Sequence, residues 1–221
     1  MTRDVLSLEA YLDRWSGLHG GYDPRSSRFV GPWLRTVYAL ARPIARLGVR
    51  PDVVTLLGLV ASGAAVWLGA LGGRWILLAA VVVGGSGILD SLDGAVAVIA
   101  GRVTPWGAVL DSLVDRLSDV LYLVLLWLLG APAWACVGAG IVVLSHEYAR
   151  ARATAVGMDD IGVVTVGERP TRVIVVAMVL LAAGIYVARS STWATGGALA
   201  LLTLGVVGLA QLLVVVHRRL T

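Results

Sequence analysis

Asp90-Ser91-Leu92-Asp93-Gly94-Ala95-Val96-Ala97, and after nine further residues Gly107-Ala108-Val109-Leu110-Asp111-Ser112-Leu113-Val114-Asp115, set carboxylates into two otherwise apolar segments. Arg116 and Asp119 extend the second segment. An ionised side chain at the centre of a membrane helix costs roughly 2.5–3.5 kcal/mol on insertion scales, so a counter-charge is required. Asp90 and Asp93 are three apart and Asp111 and Asp115 four apart, so each pair shares a helix face. Gly101, Thr104 and Pro105 predict a helical hairpin turning near residue 102. In an antiparallel hairpin, facing residues keep a nearly constant index sum. Asp90 with Asp115, and Asp93 with Asp111, meet that condition to within one residue.

Four facing carboxylates repel unless a cation sits among them. An oxygen-only donor set favours hard Mg²⁺ or Mn²⁺ over zinc. Gly94, Ala97 and Gly107 are small positions where helices or a ligand's phosphates can approach the backbone. The same acids would also serve as a polar seam between helices, or line a cation or proton path.

The rest of the chain gives these acids a membrane setting. The 221 residues are 58% hydrophobic and 14% charged, with a mean hydropathy of +0.85, which excludes an ordinary soluble domain. The net charge of +4 comes from arginine alone and reads as topology, not nucleic-acid binding. Six apolar segments, at about 52–71, 75–100, 105–130, 132–156, 171–188 and 193–216, approach or exceed the roughly 20 residues that cross a bilayer. Eight arginines precede the first segment, Arg3 among them. Arg102, Arg150, Arg152, Arg169, Arg172, Arg218 and Arg219 fall on the same side, and only Arg74 and Arg189 on the other. Both termini and the acidic site are therefore expected in the cytoplasm of a multi-pass cell-membrane protein. No cleavable signal sequence is visible in the polar first thirty residues. The fold class expected is an all-α integral membrane protein: one domain of six transmembrane helices preceded by an amphipathic interfacial helix.

That interfacial helix is expected over 32–48. Trp33, Leu34, Val37, Leu40 and Ile44 alternate there with Arg35, Arg42 and Arg46, which would face lipid headgroups, and Pro43 would kink it. Residues 1–31 read as a polar segment with turns at Gly20-Gly21 and Asp23-Pro24. Pro51 suits a first helical turn, with Asp52 or Thr55 capping free amides. His146 and His217 read as interface residues at span ends, the tryptophans as interfacial anchors, and Cys136 as core packing. Arg169 and Arg172 share a helix face, whereas Arg150 and Arg152 point to different ones, and guanidinium matches phosphate geometry.

The acidic run resembles the signature of the CDP-alcohol phosphotransferase family, D-x-x-D-G-x-x-A-R, eight residues, then G-x-x-x-D-x-x-x-D. Every position matches except that Val98 stands where the family has Arg. The likeness extends from about Tyr22 to Arg172. Pro51-Asp52-Val-Val-Thr55 is similar to the family's P-N-x-x-T, with Asp for Asn. Glu147-Tyr148-Ala-Arg150-Ala-Arg152-Ala and Glu168-Arg169-Pro-Thr-Arg172 resemble blocks of the polyol-phosphate branch, with Glu147 in place of a Ser. The wording around Asp111 to Asp119 is similar to that of phosphatidylinositol-phosphate synthases.

The resemblance implies displacement at the β-phosphorus of a CDP-linked lipid alcohol such as CDP-diacylglycerol. A small polar acceptor, inositol phosphate on this wording, attacks and CMP leaves. Asp90, Asp93, Asp111 and Asp115 would hold two divalent ions, with Asp115 also the general base. Thr55, Asp90, Gly94, Ala97, Arg102, Gly107 and Asp111 would bind CDP, and Arg150, Arg152, Arg169 and Arg172 the acceptor. Asp119 and Arg116 would support the site from behind. A homodimer embedded in membrane lipid, with no nucleic-acid partner, is implied. Val98 leaves three readings open: weaker CDP binding, compensation by Arg102, or an unusual substrate. A glycerol-phosphate acceptor, a cation transporter and a non-enzymatic scaffold are the alternatives. The apolar outer ends of the spans weigh against transport.

Overall fold

The computed structural model describes residues 5–158 and 164–220, so the part assigned to Arg3 lies outside the described residues. Among these residues every regular element is helical. The α-helices are α1 (Leu8–Leu18), α2 (Val30–Arg46), α3 (Pro51–Ala70), α4 (Trp75–Ile99), α5 (Pro105–Leu128), α6 (Ala133–Ala155), α7 (Arg169–Ile185) and α8 (Ser190–Leu220). All six apolar segments form helices. Three stretches, Pro51–Ala70, Trp75–Ile99 and Val187–Leu220, are long and apolar enough to cross a membrane. The remaining helices differ from these in composition or length. α5 carries Asp111, Asp115, Arg116 and Asp119, α6 ends in Glu147, Arg150 and Arg152, and α7 has only 17 residues.

The chain groups into two compact units. The first comprises the residues up to Leu59 together with Ser86–Val114. Its core is built from Tyr11 and Leu12 of α1, Leu34, Val37 and Tyr38 of α2, and Val96, Val98 and Ile99 of α4. The helix α1 falls in the stretch read only as polar. Its signal is nonetheless present: the Ser7 side chain caps the Ala10 amide at 3.3 Å, and Leu8, Tyr11, Leu12 and Trp15 recur at helical spacing. The chain entering α1 is tied down twice. Leu6 donates its amide to the Ile99 carbonyl at 3.1 Å and accepts the Tyr38 hydroxyl at 3.0 Å.

The hairpin turn falls where the punctuation placed it. After α4, Gly101 adopts φ +63°, the Arg102 amide bonds back to the Ala97 carbonyl at 2.7 Å, and the Gly101 amide bonds to Val98 at 3.1 Å. This pair of bonds closes the helix around a left-handed residue, which glycine adopts without steric cost. Thr104 then caps α5 by accepting the Gly107 amide at 3.0 Å, with Pro105 in the first turn. Thr55 does not cap α3 as expected. Its hydroxyl donates to the Pro51 carbonyl at 3.2 Å, one turn back, because the side chain is buried against the helix. In α2 the expected single apolar face splits. Leu34, Val37, Tyr38, Ala41 and Ala45 are buried in the core, whereas Trp33 and Leu40 are exposed.

The second unit comprises Val60–Gly85 and the residues from Asp115 onward. Its core gathers Ile76, Ala79, Val83, Leu125, Leu126, Leu180 and Ala198, with Cys136 buried among them as expected. Three of the hydroxyls buried here satisfy one another: Ser62 bonds to Ser118 at 3.1 Å and to Tyr122 at 2.9 Å. Small residues set how closely the helices approach. A Cβ on Gly184 would fall 2.9 Å from the Leu77 backbone nitrogen and 2.7 Å from its side chain. Replacing Gly184 by Ala is therefore expected to destabilise the fold by about 1–3 kcal/mol through overpacking. Denaturant unfolding in detergent, compared with the wild type, measures this.

Candidate functional site

The first unit holds an acidic cluster. Asp90 and Asp111 offer carboxylate oxygens within 4.8 Å of one another, and Asp115 follows Asp111 by four residues along the same helix. Asp93 stands beside Asp90 and Asp111 and is 5% exposed. One of its oxygens accepts the Gly94 amide at 2.6 Å. The Thr55 hydroxyl lies near it with its proton already engaged by Pro51. The other oxygen, Oδ2, is enclosed with no hydrogen-bond donor among the described residues. A buried carboxylate oxygen without a donor, next to two further carboxylates, is costly unless a cation approaches it. The donor set is oxygen throughout, so these residues fit a hard divalent ion such as Mg²⁺ or Mn²⁺.

The remaining residues assigned to CDP belong to the same unit. Gly94 is exposed, with open space where a Cβ would stand, and Ala97 is half-buried one turn on. Gly107 packs against the Thr104 hydroxyl that caps its helix. Arg102 donates to the Gly48 carbonyl at 3.3 Å. Val98, at the position of the family's Arg, is 6% exposed within an apolar core.

The second unit holds a charge network that spacing alone did not resolve. Asp115 pairs with Arg169, and with Arg116 at 3.2 Å. Arg116 reaches Glu147 at 2.8 Å and Asp119 at 3.7 Å. Arg172, 5% exposed, pairs with Asp119 at 3.0 Å and with Glu147 at 3.5 Å, and donates to the Gly167 carbonyl at 2.5 Å. Asp119 and Arg116 thus pair with residues of the same network. Glu147, noted before only as a departure from a motif, joins Arg116 and Arg172, as Asp119 does.

Behind the network, His146 is 2% exposed and bonds through Nε2 to the Thr165 hydroxyl at 3.1 Å. It is therefore not the interface residue expected of a histidine at a span end. The segment that carries Arg169 folds over α6 and encloses it. Thr165 donates its amide and hydroxyl to Glu168 at 2.9 and 3.0 Å, and Arg150 grips the same carboxylate at 2.5 Å. Of the four arginines assigned to the acceptor, Arg150, Arg169 and Arg172 meet acids, while Arg152 is exposed on another face of α6. Burial pushes the Glu168 carboxyl up, but the hydrogen bonds from Arg150 and Thr165 more than offset it, holding it below the ordinary carboxylate value.

Comparison with known proteins places these features in a family setting. The family model described as CDP-alcohol phosphatidyltransferase matches residues 48–215. Archaetidylinositol phosphate synthase of Aeropyrum pernix is 34% identical over 159 residues, covering 69% of this chain and 76% of that protein. Phosphatidylinositol phosphate synthase of Mycolicibacterium smegmatis is 38% identical over 159 residues, covering 66% and 68%. Among solved structures, the phosphatidylinositol phosphate synthase of Mycobacterium tuberculosis with CDP-DAG bound superposes with a TM-score of 0.66 at 31% identity, over 82% of this chain and 94% of that one. The same enzyme in complex with manganese and citrate gives a TM-score of 0.65 at 31% identity, over 81% and 88%.

Two outcomes follow from the second-unit network. Replacing Arg172 by Met would leave Asp119 and Glu147 short of their shared counter-charge. It is expected to cost about 3–5 kcal/mol in thermal or denaturant unfolding. Lys at the same place should recover little of this, since it lacks the planar fork that meets two carboxylates at once. Glu168 has a depressed folded-state value, so its pairing contributes stability above the unfolded carboxylate value and loses it as pH falls through the folded one. Acidification should accordingly raise hydrogen exchange around Thr165 in the wild type, and Glu168→Gln should remove that pH dependence.

Proposed function

The chain belongs to the CDP-alcohol phosphatidyltransferase family and is a CDP-alcohol phosphotransferase, and on that premise we propose that it moves a phosphatidyl group from CDP-diacylglycerol to a hydroxyl of inositol phosphate, releasing CMP. The observation that carries this reading is the acid cluster of Asp90, Asp93 and Asp111, with Asp115 one turn further along α5 and in contact with Arg169. It is supported by the names of the relatives, inositol-phosphate lipid synthases of archaea and mycobacteria.

Asp90, Asp93, Asp111 and Asp115 would hold two Mg²⁺ or Mn²⁺ ions. When bound, these neutralise the diphosphate and stabilise the entering and leaving oxygens. The chain's own residues account for the other requirements. The open surface at Gly94 and the small Ala97 let the nucleotide's diphosphate lie against α4. Thr55, Arg102 and Gly107 complete the CDP contacts. Asp115, as an ionised carboxylate, takes the proton of the acceptor hydroxyl. That oxygen bonds to the β-phosphorus, and the bond from this phosphorus to the oxygen bridging it to CMP breaks. The electron pair leaves with CMP. Arg169, against Asp115, and Arg172, Arg150 and Arg152 supply the positive charge for a phosphorylated acceptor. In this reading the protein crosses the cell membrane six times, acts as a homodimer, and keeps both termini and the site in the cytoplasm.

The test is CMP release by the purified protein given CDP-diacylglycerol, Mg²⁺ and, in turn, inositol phosphate, glycerol phosphate, serine and inositol. Release with inositol phosphate and metal only is the expected result, and Asp115→Asn should abolish it while the protein remains folded. Release with glycerol phosphate instead would reassign the acceptor. Silence across the panel would sink the transferase reading.

A further inference from the structure

His146 is buried in the second unit, and each of its ring nitrogens has an oxygen to meet. Nε2 is 3.1 Å from the Thr165 hydroxyl, and Nδ1 is 3.7 Å from a Glu147 carboxylate oxygen. The protons available to these groups decide what the ring must do. The Thr165 hydroxyl has one proton, and the Glu168 carboxylate stands 3.0 Å from it. Gripped by Arg150 and held below the ordinary carboxylate value, Glu168 is ionised and can only accept. The Thr165 proton therefore goes to Glu168, the hydroxyl oxygen accepts from the ring, and Nε2 carries a proton. Nδ1 is enclosed with no hydrogen-bond partner among the described residues, and Glu147 lies at ion-pair distance from it. A bare nitrogen there sets a lone pair against a carboxylate, whereas a protonated one meets the opposite charge.

We propose that His146 is a positioning residue for the acceptor arginines and acts as a doubly protonated imidazolium. In this form it ties Glu147 of α6 to Thr165, and through Thr165 to Glu168, the residue directly before Arg169. The same connection holds Arg172, which donates to the Gly167 carbonyl. The charged groups around the ring are Glu147 and Arg150 on α6, Glu168 ahead of α7, Arg169 and Arg172 on α7, and Arg116 and Asp119 on α5. Helix α8 packs against the connection at Gly208 and carries no titratable residue between Ser190 and His217. Arg116, Arg150 and Arg172 are each set against an acid, which leaves Glu147 and Glu168 to favour the second ring proton. Loss of that proton breaks the tie at Glu147 and lets the connection shift with its arginines. The kinetic consequence rests on the reading of Arg169 and Arg172 as acceptor-binding residues; the protonation of the ring does not.

The experiment labels the histidines of the full chain with nitrogen-15 in nanodiscs, with His19→Gln and His217→Gln assigning the other two rings. At neutral pH both His146 nitrogens are expected to carry protons, and one should become bare as the pH is raised. Protection of the Thr165 amide from hydrogen exchange should fall over the same interval. In the transfer assay His146→Phe is expected to raise KM for inositol phosphate by about tenfold while KM for CDP-diacylglycerol stays unchanged. His146→Gln, which keeps one N–H for Thr165, should recover part of that loss, and the alkaline rise in this KM should be absent from both variants. A wild-type ring with one bare nitrogen at neutral pH overturns the proposal. So does His146→Phe with unchanged Thr165 protection, or with an equal rise in both KM values, which would mark a purely structural role. If the wild type released no CMP, the transferase reading would fall, and the nitrogen and exchange signals would still decide this one.

Discussion

Asp119 and Arg172 are each 5% exposed and bonded to each other, in a helical protein with little polar surface to spare. Neither could be buried alone. A lone carboxylate or guanidinium in such surroundings faces a desolvation penalty of several kcal/mol, and the pair survives because each supplies the charge the other lacks. The same condition extends outward. Arg116 and Glu147 continue the alternation of sign, and Asp115 is reached by two guanidinium groups. Six ionised groups, three of each sign, therefore form a balanced cluster in the second unit. In the first unit, Asp93 keeps a buried oxygen without a donor among the described residues.

The segment bearing Arg169 and Arg172 depends on this arrangement for its position. Thr165 is held by His146 on one side and Glu168 on the other, and Glu168 is in turn held by Arg150. Gly167 packs against α8, where a Cβ on Gly208 would stand 3.0 Å from its backbone nitrogen. Hydrogen bonds fix the direction of the segment and a glycine contact fixes its depth, so the two arginines enter α7 already aimed. The geometry thus shows why these two residues hold still.

Much of this was readable before any coordinates. The acids were found because ionised side chains inside apolar runs are conspicuous, and the turn because Gly101, Thr104 and Pro105 each have one strong local preference. Helix α1 was missed because its apolar residues are diluted by Glu9, Asp13 and Arg14, although the spacing of Leu8, Tyr11, Leu12 and Trp15 carried the signal. The burial of His146 and the reach of Glu147 depend on contacts between residues far apart in the chain or on different helix faces, which periodicity does not encode. The split of α2 into a core face and an exposed apolar stripe was hidden for a related reason. Hydrophobicity marks both faces alike, and only packing tells them apart.

The closure at Gly101 also bears on how the chain can change over time. Because the Arg102 and Gly101 amides are spent on Ala97 and Val98, and Thr104 is spent on the Gly107 amide, only Val103 is left without a named task in the link between α4 and α5. A single inserted or deleted residue inside either helix between the turn and the acids would swing its carboxylates by ~100° about the axis. The spacing between Asp93 and Asp111 therefore behaves as a ruler, fixed by the helical repeat on either side of the turn.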